Sequence, residues 1–275
     1  MKRLIVSADD FGLTEGINNG IIESFNKGIV TSASLMVNMP SFEGSVNLAQ
    51  SNPDLAIGIH LNLVKGRPLQ PISSVPSLVN KVGVFYTLPE FIRRLLFGKI
   101  ILQEVERELR CQVEKTLAAN LMVTHLDSHR HFHIYPSILK IIIKLANKYG
   151  INKIRCPRSV SNSPRSLKEL TLTCLSWKSL SVFNKNNIKH NQSFFDLVRI
   201  ETAKDPFSAL ARFCKGLRQG VTELDCHPGF ITEELDGIEA TIHNREKQIE
   251  ILTNPDIAEL FQKYDIKLIS YDDIR

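Results

Sequence analysis

Residues 3–12, RLIVSADDFG, decide the reading of this chain: an apolar strand over residues 3–8 stops at two adjacent aspartates, Asp9 and Asp10, ahead of Phe11 and Gly12. Residues 16–27 follow, and there Ile17, Ile21, Ile22 and Phe25 recur at the spacing of a helix with one buried face. Together they make a βα unit. The rhythm returns at 31–37 before 41–50, at 56–63, at 123–127 before 136–149, at 153–156 and at 222–226. Strands alternating with helices predict a parallel sheet, and six or more such units favour a closed or nearly closed barrel. The expected fold is a single-domain α/β protein over residues 1–275, a distorted TIM-like (β/α) barrel. Pro136 suits the first turn of a helix, and Gly150 suits the left-handed position that ends it. Residues 65–99 and 159–203 break the rhythm and read as insertions over the strand ends; 179–191 read equally well as an unstructured surface loop.

The composition excludes several classes of function. With 275 residues, 43% of them hydrophobic, the chain can bury a sizeable core. Its formal charge of +5 comes from Lys and Arg interleaved with Asp and Glu, unlike the basic blocks of nucleic-acid-binding arms. The five cysteines are odd in number and lack CxxC spacing, which fits a reducing compartment. The apolar run before Asp9 is too short for a signal peptide, and the run 138–146 is interrupted by Lys140 and Lys144. A cytoplasmic protein with no transmembrane segment and no nucleic-acid partner is expected.

Asp9 and Asp10 stand where a parallel barrel places its catalytic groups, at the carboxyl end of a strand. Neighbouring side chains diverge there, so one carboxylate can bind a cation while the other reaches a water on it; an isolated Asp pair more often sits in a loop or caps a helix. His60 lies inside the apolar strand Ala56-Ile57-Gly58-Ile59-His60-Leu61, where its nitrogens need partners. Residues 125–133 hold four histidines, and at strand spacing His125, Asp127, His129, His131 and His133 would share one face suited to a metal and its supporting groups. Asp225-Cys226-His227-Pro228-Gly229-Phe230 closes a further strand with a histidine and a turn.

Taken in order, Asp9-Asp10-Phe11-Gly12, Gly58-Ile59-His60-Leu61, His125-Leu126-Asp127-Ser128-His129-Arg130-His131 and Asp225-Cys226-His227-Pro228-Gly229 resemble the signature motifs of the YdjC-like family, which includes chito-oligosaccharide deacetylases and hopanoid-biosynthesis members. The resemblance implies a deacetylase-type barrel with one divalent metal held by Asp10, His60 and His129, and Asp9 as general base. Zinc or magnesium comes first for the ion, with cobalt, nickel or manganese as alternatives. His227, and after it His131, is the candidate acid for the departing amine. His125 and Asp127 would support the ligands, and Arg155 and Arg158 could hydrogen-bond sugar hydroxyls or a phosphate, or form surface salt bridges. Arg245 falls where the family tends to have an arginine. The implied substrate is an N-acetylated amino sugar, a chito-oligosaccharide or an N-acetylglucosaminyl glycolipid, so partners are a small molecule or oligosaccharide, free or lipid-linked, with a homodimer as the assembly. Two rival readings are a metal-dependent phosphoesterase on the same barrel and a non-catalytic carbohydrate-binding protein.

Overall fold

The computed structural model describes residues 1–159, 167–236 and 244–275. Its first half alternates β1 (Lys2–Phe11), α1 (Glu15–Asn26), β2 (Ser32–Leu35), α2 (Phe42–Ser51), β3 (Ala56–Leu61), α3 (Leu88–Leu96), α4 (Leu102–Ala118), β4 (Val123–Ser128) and α5 (Pro136–Tyr149). The second half runs α6 (Leu167–Lys185), β5 (Ser193–Asp196), α7 (Val198–Glu201), α8 (Pro206–Gly216), β6 (Gly220–Cys226), α9 (Glu233–Asp236), α10 (Arg245–Leu252), α11 (Ile257–Lys263) and β7 (Ile266–Leu268). The seven strands form one sheet in the order β4-β3-β2-β1-β6-β5, with β7 beside β1 and every pairing parallel. β1 gives one edge to β6; on the other, β7 takes residues 2–4 and β2 takes residues 7–11.

The expected strand at 153–156 is instead an irregular connection that closes the circle. Ile154 bridges to Leu126 of β4, and Ser159 bridges to Phe194 of β5. The Asn191 side chain takes the place of a strand neighbour, accepting from Cys156 N at 2.7 Å and donating to Cys156 O at 2.9 Å. Pro157 then offers no N–H to a ladder. The sheet with this bridge is a distorted (β/α) barrel.

Both stretches that break the sequence rhythm are built into the body. Within 65–99, Val75, Leu78, Phe85 and Phe91 are buried in the core formed by β3, β4, α4 and α5. Within 159–203, residues 160–166 lie outside the described residues, but β5 is a barrel strand and α6 covers residues 179–185, where a loop was the equal alternative. β5 escapes a sequence reading because four residues, Ser193-Phe194-Phe195-Asp196, carry too little alternation. α5 behaves as expected: Lys140 and Lys144 are exposed, and Gly150 ends the helix at φ 70°. No helix among the described residues is long and apolar enough to cross a membrane.

A close approach on α1 sets the chain after β6. A Cβ on Gly20 would lie 2.5 Å from Gly229 Cα, and one on Gly16 would lie 2.4 Å from Phe230 O. Two hydrogens, four residues apart, therefore let the turn that carries His227 rest directly on the helix.

The histidine cluster does not share one face. β4 ends at Ser128, and the next six residues wind into a 3₁₀ turn in which Arg130 and His131 take φ values of 62° and 57°. His125 and His133 become core residues, both wholly buried. Thr124 Oγ1 donates to Ile57 O and so accepts from His125 Nδ1 at 2.8 Å, while the ring stacks on Tyr271 at 3.5 Å between centroids. His133 Nε2 donates to Arg155 O at 3.0 Å, leaving Nδ1 to accept from Ser128 Oγ at 2.7 Å. Burial pushes His125 down to about 3 and His133 down to about 4.

Both rings titrate near 6.5 in the unfolded chain, so the unfolded state gains protons first as pH falls, and stability drains below pH 6.5. The stability advantage of wild type over His133→Gln is expected to shrink by about 2 kcal/mol between pH 6.5 and 4.5, because the variant lacks this titration. Urea denaturation of both proteins across that range measures it. A constant difference would remove His133 from the acid response.

Candidate metal and catalytic site

The strand ends deliver the polar residues to one place. β1 contributes Asp9 and Asp10, β3 contributes His60, β4 contributes Asp127 with His129 just beyond it, and β6 contributes Asp225 with His227 just beyond it. Asp10 sits at φ 67°, a left-handed conformation that few non-glycine residues adopt. That turn sends the two adjacent carboxylates to different partners. Asp10 Oδ2 accepts from Arg245 Nη2 at 2.7 Å, and Oδ1 lies 3.1 Å from His129 Nδ1 and 3.9 Å from His60 Nε2.

Those three ligand atoms, Asp10 Oδ1, His60 Nε2 and His129 Nδ1, belong to buried side chains and lie within 4.8 Å of one another. Asp10 Oδ1 makes no hydrogen bond among the described residues. Separations of 3.1 and 3.9 Å suit neighbouring ligands of one ion, each about 2.0–2.2 Å from it. The donor set therefore fits a divalent cation and leaves coordination positions for water and a substrate oxygen. Two further groups meet the same spacing, Asp9 with His60 and Asp127, and Asp9 with Asp225 and His227.

The surroundings fix tautomer and charge. His60 Nδ1 donates to Asp127 Oδ1 at 2.9 Å, which points Nε2 at the cation position. Asp127 Oδ2 in turn accepts from Ser34 Oγ at 2.9 Å and lies 2.6 Å from Arg155 Nη1. Burial opposes a charge on His60, but Asp127, Asp9 and Asp10 outweigh it and lift the ring to about 9. His129 is pushed down by burial. Burial also opposes ionisation of Asp10, yet His129 and Arg245 hold its carboxyl well below the usual range.

Arg155 lies wholly inside the barrel, where sequence reading pointed its fork at sugar hydroxyls or a phosphate. Its Nη1 and Nη2 donate to Asp9 Oδ2 and Oδ1 at 2.6 and 2.7 Å, and Nε donates to Glu223 Oε1 at 2.8 Å. No substrate reaches a guanidinium so enclosed; three buried carboxylates explain its inward turn. Arg158 faces outward, bonded to Gln192 O and lying over the Trp177 ring. His131 stands at the rim, edge-on to Phe194 at 5.1 Å. His227 sits beside Asp9 and Asp225, its backbone N–H held by Gln248 Oε1 at 2.6 Å, and burial pushes its ring down to about 4. Asp225 is raised well above the usual carboxylate range by burial and by the charge of Asp9, and its Oδ1 has no hydrogen bond among the described residues.

Ser34, Glu223 and Tyr271 escaped the sequence reading. Glu223 accepts from Tyr271 Oη at 2.7 Å and is pushed up by burial to about 7. Glu223 and Asp225 alternate in Thr222-Glu223-Leu224-Asp225-Cys226, so a period of two in β6 was the available signal. Nothing local in the sequence marks Ser34 or Tyr271.

Comparison with known proteins gives a consistent picture. The family model described as YdjC-like protein matches residues 3–263. A carbohydrate deacetylase of Clostridium beijerinckii is 31% identical over 272 residues, spanning 99% of this chain and 100% of its own. One from Brevibacillus brevis is 34% identical over 272 residues, spanning 99% of each chain. Among solved structures, a candidate cellobiose-phosphate cleavage protein of Enterococcus faecalis aligns with a TM-score of 0.80 at 28% identity over 98% of both chains. A match over nearly the whole chain, and relatives that share its full length, mean that this protein belongs to the YdjC-like family.

Proposed function

We propose that the protein is a metal-dependent carbohydrate deacetylase that removes the acetyl group from an N-acetylated amino sugar. The convergence of Asp10 Oδ1, His60 Nε2 and His129 Nδ1 carries this reading, in a chain whose full-length relatives are named carbohydrate deacetylases. Two imidazoles and a carboxylate suit zinc, cobalt, nickel or manganese better than magnesium. A divalent cation held by Asp10, His60 and His129 would supply a Lewis acid for the acetamide oxygen and would lower the pKa of a bound water from about 15.7 towards about 7.

The chain's own residues do the rest. Asp9 Oδ2 stands 3.6 Å from His60 Nε2, and Asp9 takes the proton from the attacking water while Arg155 grips both its oxygens. His227 gives a proton to the departing sugar amine. Burial keeps that ring neutral at pH 7, so the proton must be handed to it, and the group placed to do so is Asp225 beside it, whose carboxyl burial and the charge of Asp9 raise well above the usual range. Arg245 keeps Asp10 ionised and oriented, and Asp127 does the same for His60.

Acetate release from N-acetylglucosamine oligomers by metal-loaded protein tests the reading. Asp9→Asn is expected to lose about 10²–10⁴-fold in kcat while still binding metal. His129→Ala is expected to lose metal and activity together. Cleavage of phosphate esters without acetamides, or failure to retain any metal, would sink the proposal. Because the cation must displace the His60 proton, its affinity should rise with pH between 6 and 8, with proton release measurable by calorimetry in buffers of different ionisation enthalpy. Arg155→Leu strands buried carboxylates and is expected to lower unfolding free energy by about 3–5 kcal/mol in urea titration; a near-neutral result would refute the role given to Arg155.

A further inference from the structure

The link from α3 to α4 presents apolar side chains to solvent on a rigid turn. Leu96 is 78% exposed, Phe97 70% and Ile101 48%, and Leu102 beside them is exposed as well. Scattered exposed hydrophobics are ordinary, but these four fall within residues 96–102 and make a patch. Looseness does not account for it. Gly98 follows the end of α3 at φ 65°, its N–H donating to Leu95 O at 3.2 Å while Lys99 N donates to Arg94 O at 2.8 Å. Ile100 is buried behind the turn, and Ile101 N donates to Ser77 Oγ at 2.9 Å. The backbone is held on both sides while Leu96 and Phe97 stay outside. Charge gathers on the same stretch. Residues 65–102 hold six Lys and Arg against one acid, Glu90, a surplus that equals the formal charge of +5 on the whole chain, so the remainder is balanced. Glu90 bonds both Arg93 and Arg94, which leaves those three with one positive charge, and Lys99 stands exposed within the apolar patch.

We propose that the turn between α3 and α4 docks the protein on an anionic lipid bilayer, with Leu96 and Phe97 sunk to the boundary of headgroups and acyl chains and Lys99 and its basic neighbours on the headgroups. An apolar tip and a basic flank match the two contributions to binding at such an interface, burial of apolar area and attraction to anionic lipid. A second copy of the chain is the competing occupant. An isologous contact through this patch would set Lys99 and the Arg93 and Arg94 pair near their own counterparts, like charge against like, whereas an anionic surface complements them. Topology gives the docked face its meaning. α4 is part of the crossover between the parallel neighbours β3 and β4, so it runs back against them and its first residues lie at the end of the barrel where Asp10, His60 and His129 converge. Docking through the start of α4 therefore turns that cluster towards the bilayer, whatever reaction the cluster performs.

Co-sedimentation of the full chain with vesicles of phosphatidylcholine alone, and of phosphatidylcholine mixed with phosphatidylglycerol, tests the proposal. Binding is expected to the anionic vesicles only and to weaken as salt is added. Lys99→Gln should weaken it about fivefold, the loss of one basic contact at the surface. Leu96→Ser combined with Phe97→Ser should weaken it about tenfold or more, through the apolar area no longer buried. All three side chains are exposed, and an unchanged urea midpoint ties a loss of binding to the surface rather than to the fold. Absence of binding, or equal binding to neutral vesicles, overturns the proposal. Binding that ignores Leu96 and Phe97 is adhesion of a cationic protein alone and overturns it too. A wild-type dimer that reverts to monomer in the double variant, read by sedimentation velocity, would assign the patch to a second copy instead. Binding of polyglutamate that requires the same two residues would assign it to an acidic protein, and either result removes the bilayer.

Discussion

A guanidinium with no access to solvent organises the interior of this barrel. Arg155 touches Asp9, Asp127 and Glu223 at once, and Asp225 lies 4.0 Å away. Each carboxylate alone would face a desolvation penalty of several kcal/mol, and a shared fork with five directed donors offsets it where a lysine point charge could not. The same cation orients two shells of chemistry, since Asp9 faces the reaction and Asp127 steers His60. Charge remains unbalanced even so. Asp9, Asp10, Asp127, Glu223 and Asp225 face two buried guanidiniums, Arg155 and Arg245, which is why burial drives protons onto Glu223 and Asp225 and why a divalent ion is welcome beside Asp10.

The scaffold supplies precision through backbone rather than side-chain reach. The left-handed turn at Asp10 separates two consecutive carboxylates, giving one to Arg155 and the other to Arg245. Left-handed Arg130 and His131 similarly end β4 so that His129 points back at Asp10 while His131 is carried to the rim. Such conformations cost of order 1–3 kcal/mol each and persist because surrounding contacts over-determine them.

What the sequence disclosed was whatever period and position encode. The parallel alternation, the strand-end aspartates and the isolated His60 could be read because each contradicts or completes a local pattern. The histidine cluster misled because period-two reasoning presumes a strand, and β4 stops at Ser128, four residues into that run. Arg155 misled for a different reason: an arginine after a strand is usually at a surface, and its inward direction is set by carboxylates from β1, β4 and β6 that lie up to 146 residues away in sequence. Tyr271 and Ser34 depend wholly on such distant partners, so no window of sequence contains their roles.

The two-part edge of β1 also bears on how the molecule is made. Lys2 pairs with Gly220 on one side and Ile266 on the other, so β1 cannot be enclosed until the chain beyond residue 266 has left the ribosome. Contacts of that sequence separation are slow to form and leave an apolar strand with open edges in the meantime. Only residues 7–11 of β1 find a neighbour early, in β2, so the edge that β6 will cover and the stretch that β7 will cover stay open for most of the synthesis.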